Sequence, residues 1–332
     1  MMRHSRMSRY RFALAVISMS FLGSASLFAQ RSPRSFALVP DSPTFWSLVE
    51  KDTQLVTAGS GFGFTEGPIW EPGGTLIVSD EVANELRRLY PDSHYETIMK
   101  LGDPDGNTRD GQQRVIVTAS VLRALIRLSP DEKTYTVLAD HYQGMRLNSP
   151  NDVTLGPDGA LYFTDPTLDL VQGEKQETPW KGVYRLASDG RLTLLVRDLS
   201  QPNGLAFSPD GQFLFVDDTE RREIWRYPFH QDGTVSDGVL FAEEKSKDAP
   251  GVPDGMKFDR KGNLYVTGPG GIWVWSPDGK RLGRILLPTT AANLTWGDKD
   301  RATLWITAGP NVYTLKMKAF GYLPYAEPKE MK

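Results

Sequence analysis

The chain has 332 residues, with 38 basic and 41 acidic side chains, a net charge of −3 and no cysteine. The absence of cysteine excludes disulfide bonds, thiol catalysis and zinc sites built on sulfur. A mildly acidic chain without a basic stripe lacks the electrostatic footprint of a nucleic-acid-binding protein, so we expect a small-molecule partner.

Residues 1–29 are predicted to be a secretory signal peptide. Four arginines precede an apolar stretch over 12–22, and the small residues of 23–26 follow. This order is typical of a cleaved leader, and a disordered basic tail is the alternative. The stretch is too short to anchor the chain in a bilayer, which takes about 20 apolar residues. We therefore predict an exported protein, periplasmic or secreted, with no membrane span after cleavage.

The rest of the chain is predicted to be all-β. Runs rich in aromatic and β-branched residues, such as 160–164 and 263–267, alternate with Pro-Asp-Gly turns like that at 157–159. The pattern recurs about every 40–50 residues, which is typical of a β-propeller with four strands per blade. A sandwich of hairpins is the alternative.

The predicted domain limits follow from this repeat. They are an N-terminal strap over 30–50, a six-bladed propeller over 51–320 and a C-terminal tail over 321–332. We expect the segment before the first repeat to complete the last blade.

One polar position in each repeat is predicted to face the central channel, because the first strand of every propeller blade lines it. The phase of the repeat places there Glu66, Asn107, Asn151, Asn203, Asp254 and Asn293. Buried carboxylates without partners are costly, and a shared cation would resolve that cost. Oxygen ligands without histidine or cysteine favour calcium over magnesium, and zinc or manganese stay open.

Two acidic segments are predicted to lie outside this site. The run 103–107 resembles a calcium loop but lacks the glycine at its sixth place and the acid at its twelfth, so we predict a turn. Glu243 and Glu244 are predicted to lie on a solvated surface.

Several runs resemble the gluconolactonase family, whose superfamily includes regucalcin. They are 64–68 (FTEGP), 147–153 (LNSPNDV), 162–166 (YFTDP), 202–210 (PNGLAFSPD), 251–256 (GVPDGM) and 268–273 (GPGGIW). The resemblance covers roughly residues 40–318. It implies a six-bladed propeller that binds one divalent ion, usually calcium, and hydrolyses sugar lactones.

The resemblance also implies roles for particular residues. The metal ligands of the family fall on Glu66, Asn151, Asn203 and Asp254. One stretch departs from the pattern, because bacterial relatives usually carry a glutamate-histidine pair where Ala119 and Ser120 stand. This departure indicates altered specificity or reduced activity.

The predicted reaction is hydrolysis of a sugar lactone such as glucono-1,5-lactone. A metal-bound Asp254 is the candidate to accept a proton from the attacking water, and Asn107 and Asp152 are candidates to bind the sugar hydroxyls. Two alternatives stay open: another metal-dependent esterase or phosphotriesterase on the same site, and a non-catalytic binding propeller that calcium stabilises.

Overall fold

The computed structural model describes residues 34–246 and 249–326. The predicted signal peptide over 1–29 lies outside these residues. None of the described helices is long and apolar enough to cross a membrane. The N-terminal elements are β1 (Ala37–Pro40), a 3-10 helix (Pro43–Ser47) and β2 (Leu55–Ser60).

The strands that follow form the first three blades, with a short hairpin after the second. Blade 1 contains β3 (Thr65–Trp70), β4 (Leu76–Asp80), β5 (Glu85–Leu89) and β6 (Tyr95–Lys100). Blade 2 contains β7 (Pro104–Arg109), β8 (Val115–Ala119), β9 (Ala124–Leu128) and β10 (Tyr135–Ala139). The hairpin is β11 (His141–Tyr142) and β12 (Met145–Arg146). Blade 3 contains β13 (Val153–Leu155), β14 (Leu161–Asp165), β15 (Gly182–Leu186) and β16 (Leu192–Val196).

The remaining strands form three more blades. Blade 4 contains β17 (Pro202–Phe207), β18 (Phe213–Asp218), β19 (Glu223–Pro228) and β20 (Val239–Glu243). Blade 5 contains β21 (Met256–Phe258), β22 (Leu264–Gly268), β23 (Gly271–Trp275) and β24 (Arg281–Leu286). Blade 6 contains β25 (Asn293–Gly297), β26 (Thr303–Ala308) and β27 (Asn311–Lys316).

The six sheets are arranged as a closed ring. Their innermost strands contact one another in the order β3, β7, β13, β17, β21, β25 and back to β3. Within each sheet the strands pair antiparallel in chain order from the axis outward. This confirms the predicted all-β, six-bladed propeller.

Both N-terminal strands complete blades at the end of the chain. β2 pairs with β27 and becomes the outer strand of blade 6, as the sequence analysis expects. β1 pairs with β24 and adds a fifth strand to blade 5. Part of the segment predicted as a strap over 30–50 is therefore a β-strand of blade 5. Phe45 is fully buried behind it.

Aromatic side chains fill the spaces between blades. Tyr162, Phe163, Tyr184, Tyr265 and Trp296 are fully buried. Tyr265 meets Trp296 edge-to-face with ring centroids 5.1 Å apart, which joins blade 5 to blade 6. Truncation of such a ring to alanine typically costs about 3–5 kcal/mol, so these contacts hold the blades in fixed relative positions.

The C-terminal segment closes one end of the channel. We call this end the lower end. The opposite end, where the first strand of each blade begins, is called the upper end. The backbone N–H of Tyr322 donates to Phe258 O at 3.0 Å, and Gln113 Nε2 donates to Tyr325 O at 2.6 Å. Tyr322 and Tyr325 line a cavity of the lower channel together with Lys257. Residues 322–325 of the predicted tail thus form the floor of the channel.

Candidate metal centre in the central channel

Aspartates at the ends of second strands hold the loops that carry the site. Each carboxylate accepts a backbone N–H from the loop that precedes its own blade's first strand. The bonds are Gly63 N to Asp80 at 3.0 Å, Asn148 N to Asp165 at 2.8 Å and Ser200 N to Asp218 at 2.6 Å. Each carboxyl group satisfies a backbone donor of its loop, so the loops before Glu66, Asn151 and Asn203 are fixed.

A repeated hydroxyl contact identifies which residues are equivalent at the upper end. A second-strand hydroxyl in four blades donates to a backbone carbonyl of the next blade. The pairs are Ser79 with Asp105 O (2.7 Å), Thr118 with Asn151 O, Thr164 with Asn203 O (2.7 Å) and Thr267 with Ala292 O (2.9 Å). Glu66 matches Asp105 in strand register, and Gly204 approaches Asp254 O as Gly106 approaches Asn151 O, so Glu66 and Asp254 are equivalent to the other four. We define the axial ring as these six residues: Glu66, Asp105, Asn151, Asn203, Asp254 and Ala292.

The axial ring corrects two of the six predicted positions. Asp105 occupies the place predicted for Asn107, and Ala292 the place predicted for Asn293. The four predicted metal ligands, Glu66, Asn151, Asn203 and Asp254, all lie in the ring. Their role as ligands stays a prediction.

The predicted phase is two residues late in blade 2. The register of β7 against β8 shifts between Pro104 and Asn107, as β3 shifts between Glu66 and Ile69 and β17 between Pro202 and Leu205, so Asp105 lies at the place of Glu66 and Asn203. The segment 103–107, predicted to be a turn, is in fact largely strand, and it brings Asp105 to the axis.

Asn107 lies further along β7, toward the lower channel. Its Nδ2 donates to Gly67 O at 2.7 Å and to Ser79 Oγ at 2.8 Å. Its Oδ1 is buried and has no hydrogen-bond partner within the described part of the chain. The predicted contact of Asn107 with a sugar hydroxyl is untested, and its amide nitrogen is already used to join blades 1 and 2.

Asn293 joins the last blade to the first. Its Nδ2 donates to Glu66 Oε2 at 2.8 Å, and the backbone N–H of Gly67 donates to the same oxygen at 2.6 Å. The other oxygen, Glu66 Oε1, is buried without a partner among residues 34–246 and 249–326. Asn293 therefore fixes the carboxylate of Glu66 with one oxygen left for a ligand.

Orphaned oxygens at the upper end fit a bound cation. Glu66 Oε1, Asn203 Oδ1 and Asp152 Oδ2 are all buried and unpaired by any described group. Each such atom is costly unless a ligand satisfies it. In the described ranges no three carboxylate, imidazole or thiol side chains come together as a metal site by themselves. The predicted set differs from such a cluster, because it combines two carboxylates with two amides.

The carboxylates of the site repel one another. Burial raises the pKa of Glu66 to about 7, and the negative charge of Asp152 adds to the shift. Burial also raises the pKa of Asp254 well above its ordinary value, with contributions from Glu66 and Asp217. A cation would oppose these shifts by favouring the ionised forms. The electrostatics of the site therefore agree with the fit of its oxygens.

Three further acids around the site were missed by the sequence analysis. Asp105 accepts a hydrogen bond from Asn151 Nδ2 at 2.6 Å. Burial raises the pKa of Glu81 to about 10, with added repulsion from Glu66, and burial also raises the pKa of Asp169. Asp105 could have been found, since each of Glu66, Asn203 and Asp254 also directly precedes a glycine. Glu81 and Asp169 lie on loops with no such signal.

The glycine that follows a ring residue allows the blades to approach closely. A Cβ on Gly204 would lie 1.9 Å from Asp254 O, and one on Gly255 would lie 2.1 Å from Asn293 Oδ1. No side chain fits these positions without moving the next blade. The Asn-Gly and Asp-Gly pairs are thus packing devices between blades rather than turns.

Lys257 supplies a positive charge below the ring, and the sequence analysis missed it as well. Its Nζ donates to Asn293 Oδ1 at 3.4 Å. Burial raises the pKa of Asp152, and the positive charge of Lys257 opposes that shift. Asp152 Oδ1 accepts the backbone N–H of Val153 at 2.8 Å, so its other oxygen is the one that stays free.

The stretch that departs from the family pattern supports the loop before Asn151. Ser120 Oγ donates to Pro150 O at 2.9 Å, and Arg123 Nε donates to Leu147 O at 2.6 Å. Both side chains are buried. Ser120, which stands at one of the positions of the family's glutamate-histidine pair, and the nearby Arg123 therefore bind the backbone of the loop that leads into blade 3.

Glu244 is buried, so its predicted place on a solvated surface is wrong. It is 0% exposed, and Trp275 Nε1 donates to its Oε1 at 3.0 Å. Burial raises its pKa well above the ordinary value, and its charge also raises the pKa of Asp217. Charged residues surround position 244 in the sequence, and the neighbouring Glu243 is exposed. The sequence therefore contains no sign that Glu244 is buried.

Comparison with known proteins agrees with this architecture. Residues 64–309 match the sequence model of the SMP-30/Gluconolactonase/LRE-like region. A gluconolactonase of Zymomonas mobilis is 35% identical over 314 residues, covering 84% of this chain and 86% of that protein. A pentonolactonase of Haloferax volcanii is 28% identical, covering 77% of this chain and 84% of that protein. The solved structure of a gluconolactonase from Xanthomonas campestris superposes with a TM-score of 0.78 at 33% identity, covering 86% of this chain and 97% of that chain.

Proposed function

Because the chain belongs to the SMP-30/Gluconolactonase/LRE-like family, we propose that it is a hydrolase of lactones, with a sugar lactone such as glucono-1,5-lactone as substrate and calcium as cofactor. The observation that carries the proposal is the set of buried, unpaired oxygens in the upper channel, beside carboxylates of raised pKa. That set offers oxygen ligands to a cation at the upper end of a channel that residues 322–325 close from below.

The proposed ligands are Glu66, Asn151, Asn203 and Asp254. The two carboxylates would balance the charge of a divalent ion, and the two neutral amides would supply oxygens without adding charge. The ion would polarise the ring carbonyl and lower the pKa of a water. Calcium suits this set because it tolerates irregular oxygen geometry; zinc and manganese are the alternatives.

The chain's own groups provide the rest of the chemistry. Asp254, kept ionised beside the cation, accepts a proton from the attacking water and returns it to the ring oxygen as the ester opens. Asp152 Oδ2 is free to accept a bond from a sugar hydroxyl. Asn107 Oδ1 is likewise free, on the lower side of the ring. The amides of Asn151 and Asn203 supply ligand oxygens without adding negative charge near the developing oxyanion.

The test is acid release from glucono-1,5-lactone by the purified protein, before and after chelation and again with calcium restored. We expect hydrolysis that chelation abolishes and calcium recovers. Asp254→Asn should weaken calcium binding, because a ligand loses its charge, and should lower kcat by at least about 100-fold even at saturating calcium. Hydrolysis by Asp254→Asn at the normal rate would remove Asp254 as the base. A folded, calcium-loaded protein without lactonase activity would favour the esterase or the binding-protein alternative.

We also propose that the protein is exported. The support is the basic, apolar and small-residue order of 1–29. Expression of the full chain in a Gram-negative host, followed by fractionation and N-terminal sequencing, tests this. A mature N-terminus between residues 25 and 31 in the periplasmic fraction is expected, whereas an uncleaved chain in the cytoplasm would contradict export.

A further inference from the structure

Asp105 and Asn151 are neighbours in the axial ring and are bonded through their side chains. Asn151 Nδ2 donates to Asp105 Oδ2 at 2.6 Å, a short distance for this type of bond. The backbone next to Asp105 is also bonded to Asn151, because Gly106 N donates to Asn151 O at 2.8 Å. Asp105 is 3% exposed, so water does not compete for this carboxylate.

This bond decides which atom of the Asn151 amide is free. The nitrogen and the oxygen of an amide diverge from the same planar carbon, so a nitrogen fixed on Asp105 directs the oxygen away from that carboxylate. Asn203 Oδ1 in the next blade is also an unpaired acceptor, as a ligand set requires. We propose that Asp105 is a positioning residue of the metal site: it holds Asn151 so that Asn151 Oδ1 faces the ion. This inference rests on the metal site of the proposed function.

Two neighbours support the same arrangement. Ser120 Oγ lies 3.5 Å from Asp105 Oδ2 and also binds Pro150 O, so it ties the carboxylate to the loop that carries Asn151. The Asn151 side chain also hydrogen-bonds Asp169, which lowers the pKa of Asp169 against the effect of burial. The amide nitrogen therefore has acidic acceptors around it, and these also polarise the amide so that its oxygen becomes a better ligand.

The test separates the hydrogen bond from the charge. Asp105→Asn keeps an acceptor oxygen for Asn151 Nδ2 but removes the charge. Asp105→Leu keeps a similar side-chain volume but removes both the acceptor oxygen and the charge. Asp131→Asn is the matched control, since Asp131 is an exposed turn residue of the same blade. Calcium affinity of the full chain is measured by calorimetry, and melting in chelator shows whether each variant is folded.

We expect a calcium Kd weakened by about 10–100-fold in Asp105→Leu, by less than about 5-fold in Asp105→Asn, and unchanged in Asp131→Asn. Equal weakening in both Asp105 variants would overturn the proposal, because charge alone would then explain it. Unchanged binding in both would overturn it as well. If the leucine variant does not fold, Asp105→Ala provides the same comparison.

The outcome is separable from that of the proposed function. If the wild-type protein hydrolyses no lactone but Asp105→Leu still loses calcium binding, the positioning role of Asp105 is supported and the proposed lactonase activity is refuted. A wild-type protein that binds no divalent ion would overturn the positioning role and the metal part of the proposed function together.

Discussion

The Nδ2 of Asn293 lies 2.8 Å from Glu66 Oε2, and this bond spans the seam between the last blade and the first. It leaves Glu66 Oε1 as the buried acceptor without a partner in the described structure. The seam that closes the propeller therefore also orients one of the proposed ligands.

Asn293→Ala should weaken calcium binding by about 10-fold, because Glu66 loses one of the two donors that fix its carboxylate. Calorimetry at pH 7.5 measures the effect. Gln143→Ala, which removes an exposed amide from the hairpin, is the control and should bind as the wild type does. Unchanged affinity in Asn293→Ala would show that Glu66 is held by its own backbone alone.

Lys257→Met should change two properties in opposite directions. Removing a positive charge near the site should tighten calcium binding by about 5–10-fold. Without calcium, the variant should melt at a lower temperature, because Asp152 and Glu66 lose the cation that favours their ionised forms. Titration at pH 8 and melting in chelator measure the two effects. A fall in both affinity and stability would mean that Lys257 serves packing alone.

Gly204→Ala should destabilise the fold by roughly 2–4 kcal/mol, because its Cβ would overlap the carbonyl of Asp254. The displaced backbone carries a proposed ligand, so calcium affinity should fall too. Urea unfolding and calorimetry measure the two effects. Gly73→Ala is the matched control, because its Cβ would meet nothing within 4 Å. Equal stability of the two variants would contradict the close-packing role of Gly204.

Asp165→Asn should reduce the pH dependence of stability. Burial raises the pKa of Asp165 to about 8, so between about pH 4 and pH 8 the folded protein binds one proton more than the unfolded chain. The free energy of unfolding therefore falls as pH rises through this window, by about 1.4 kcal/mol per pH unit from this group. Urea unfolding in chelator at pH 5.5, 6.5 and 7.5 should show the smaller slope in the variant. Identical slopes would refute the assignment.

The sequence predicted the architecture because the turns and strands of a propeller are local. Pro-Asp-Gly turns and buried strands such as β14 and β22 repeat with a regular period, and four of the six axial positions followed from it. Position 292 carries alanine, whose side chain gives no polar signal, so the prediction moved to its neighbour Asn293. In blade 2 two polar residues, Asp105 and Asn107, stand close together, and repeat spacing alone does not choose between them, although the glycine after Asp105 does.

Residues that reach the site from elsewhere could not be predicted. Glu81 and Asp169 come from loops that bend over the channel, and Lys257 points into the channel from the strand after Asp254. Their proximity to the ring depends on how the blades are rotated about the axis. That rotation is set by contacts between residues far apart in sequence, such as Tyr265 with Trp296.

The floor formed by residues 322–325 affects how ligands enter and leave the channel. A channel closed below the ring gives ligands a single opening, so substrate must enter and hydroxy acid must leave by the same upper mouth. Entry and departure then exclude each other at any moment. Accumulated product should compete directly with substrate and raise the apparent KM without changing kcat.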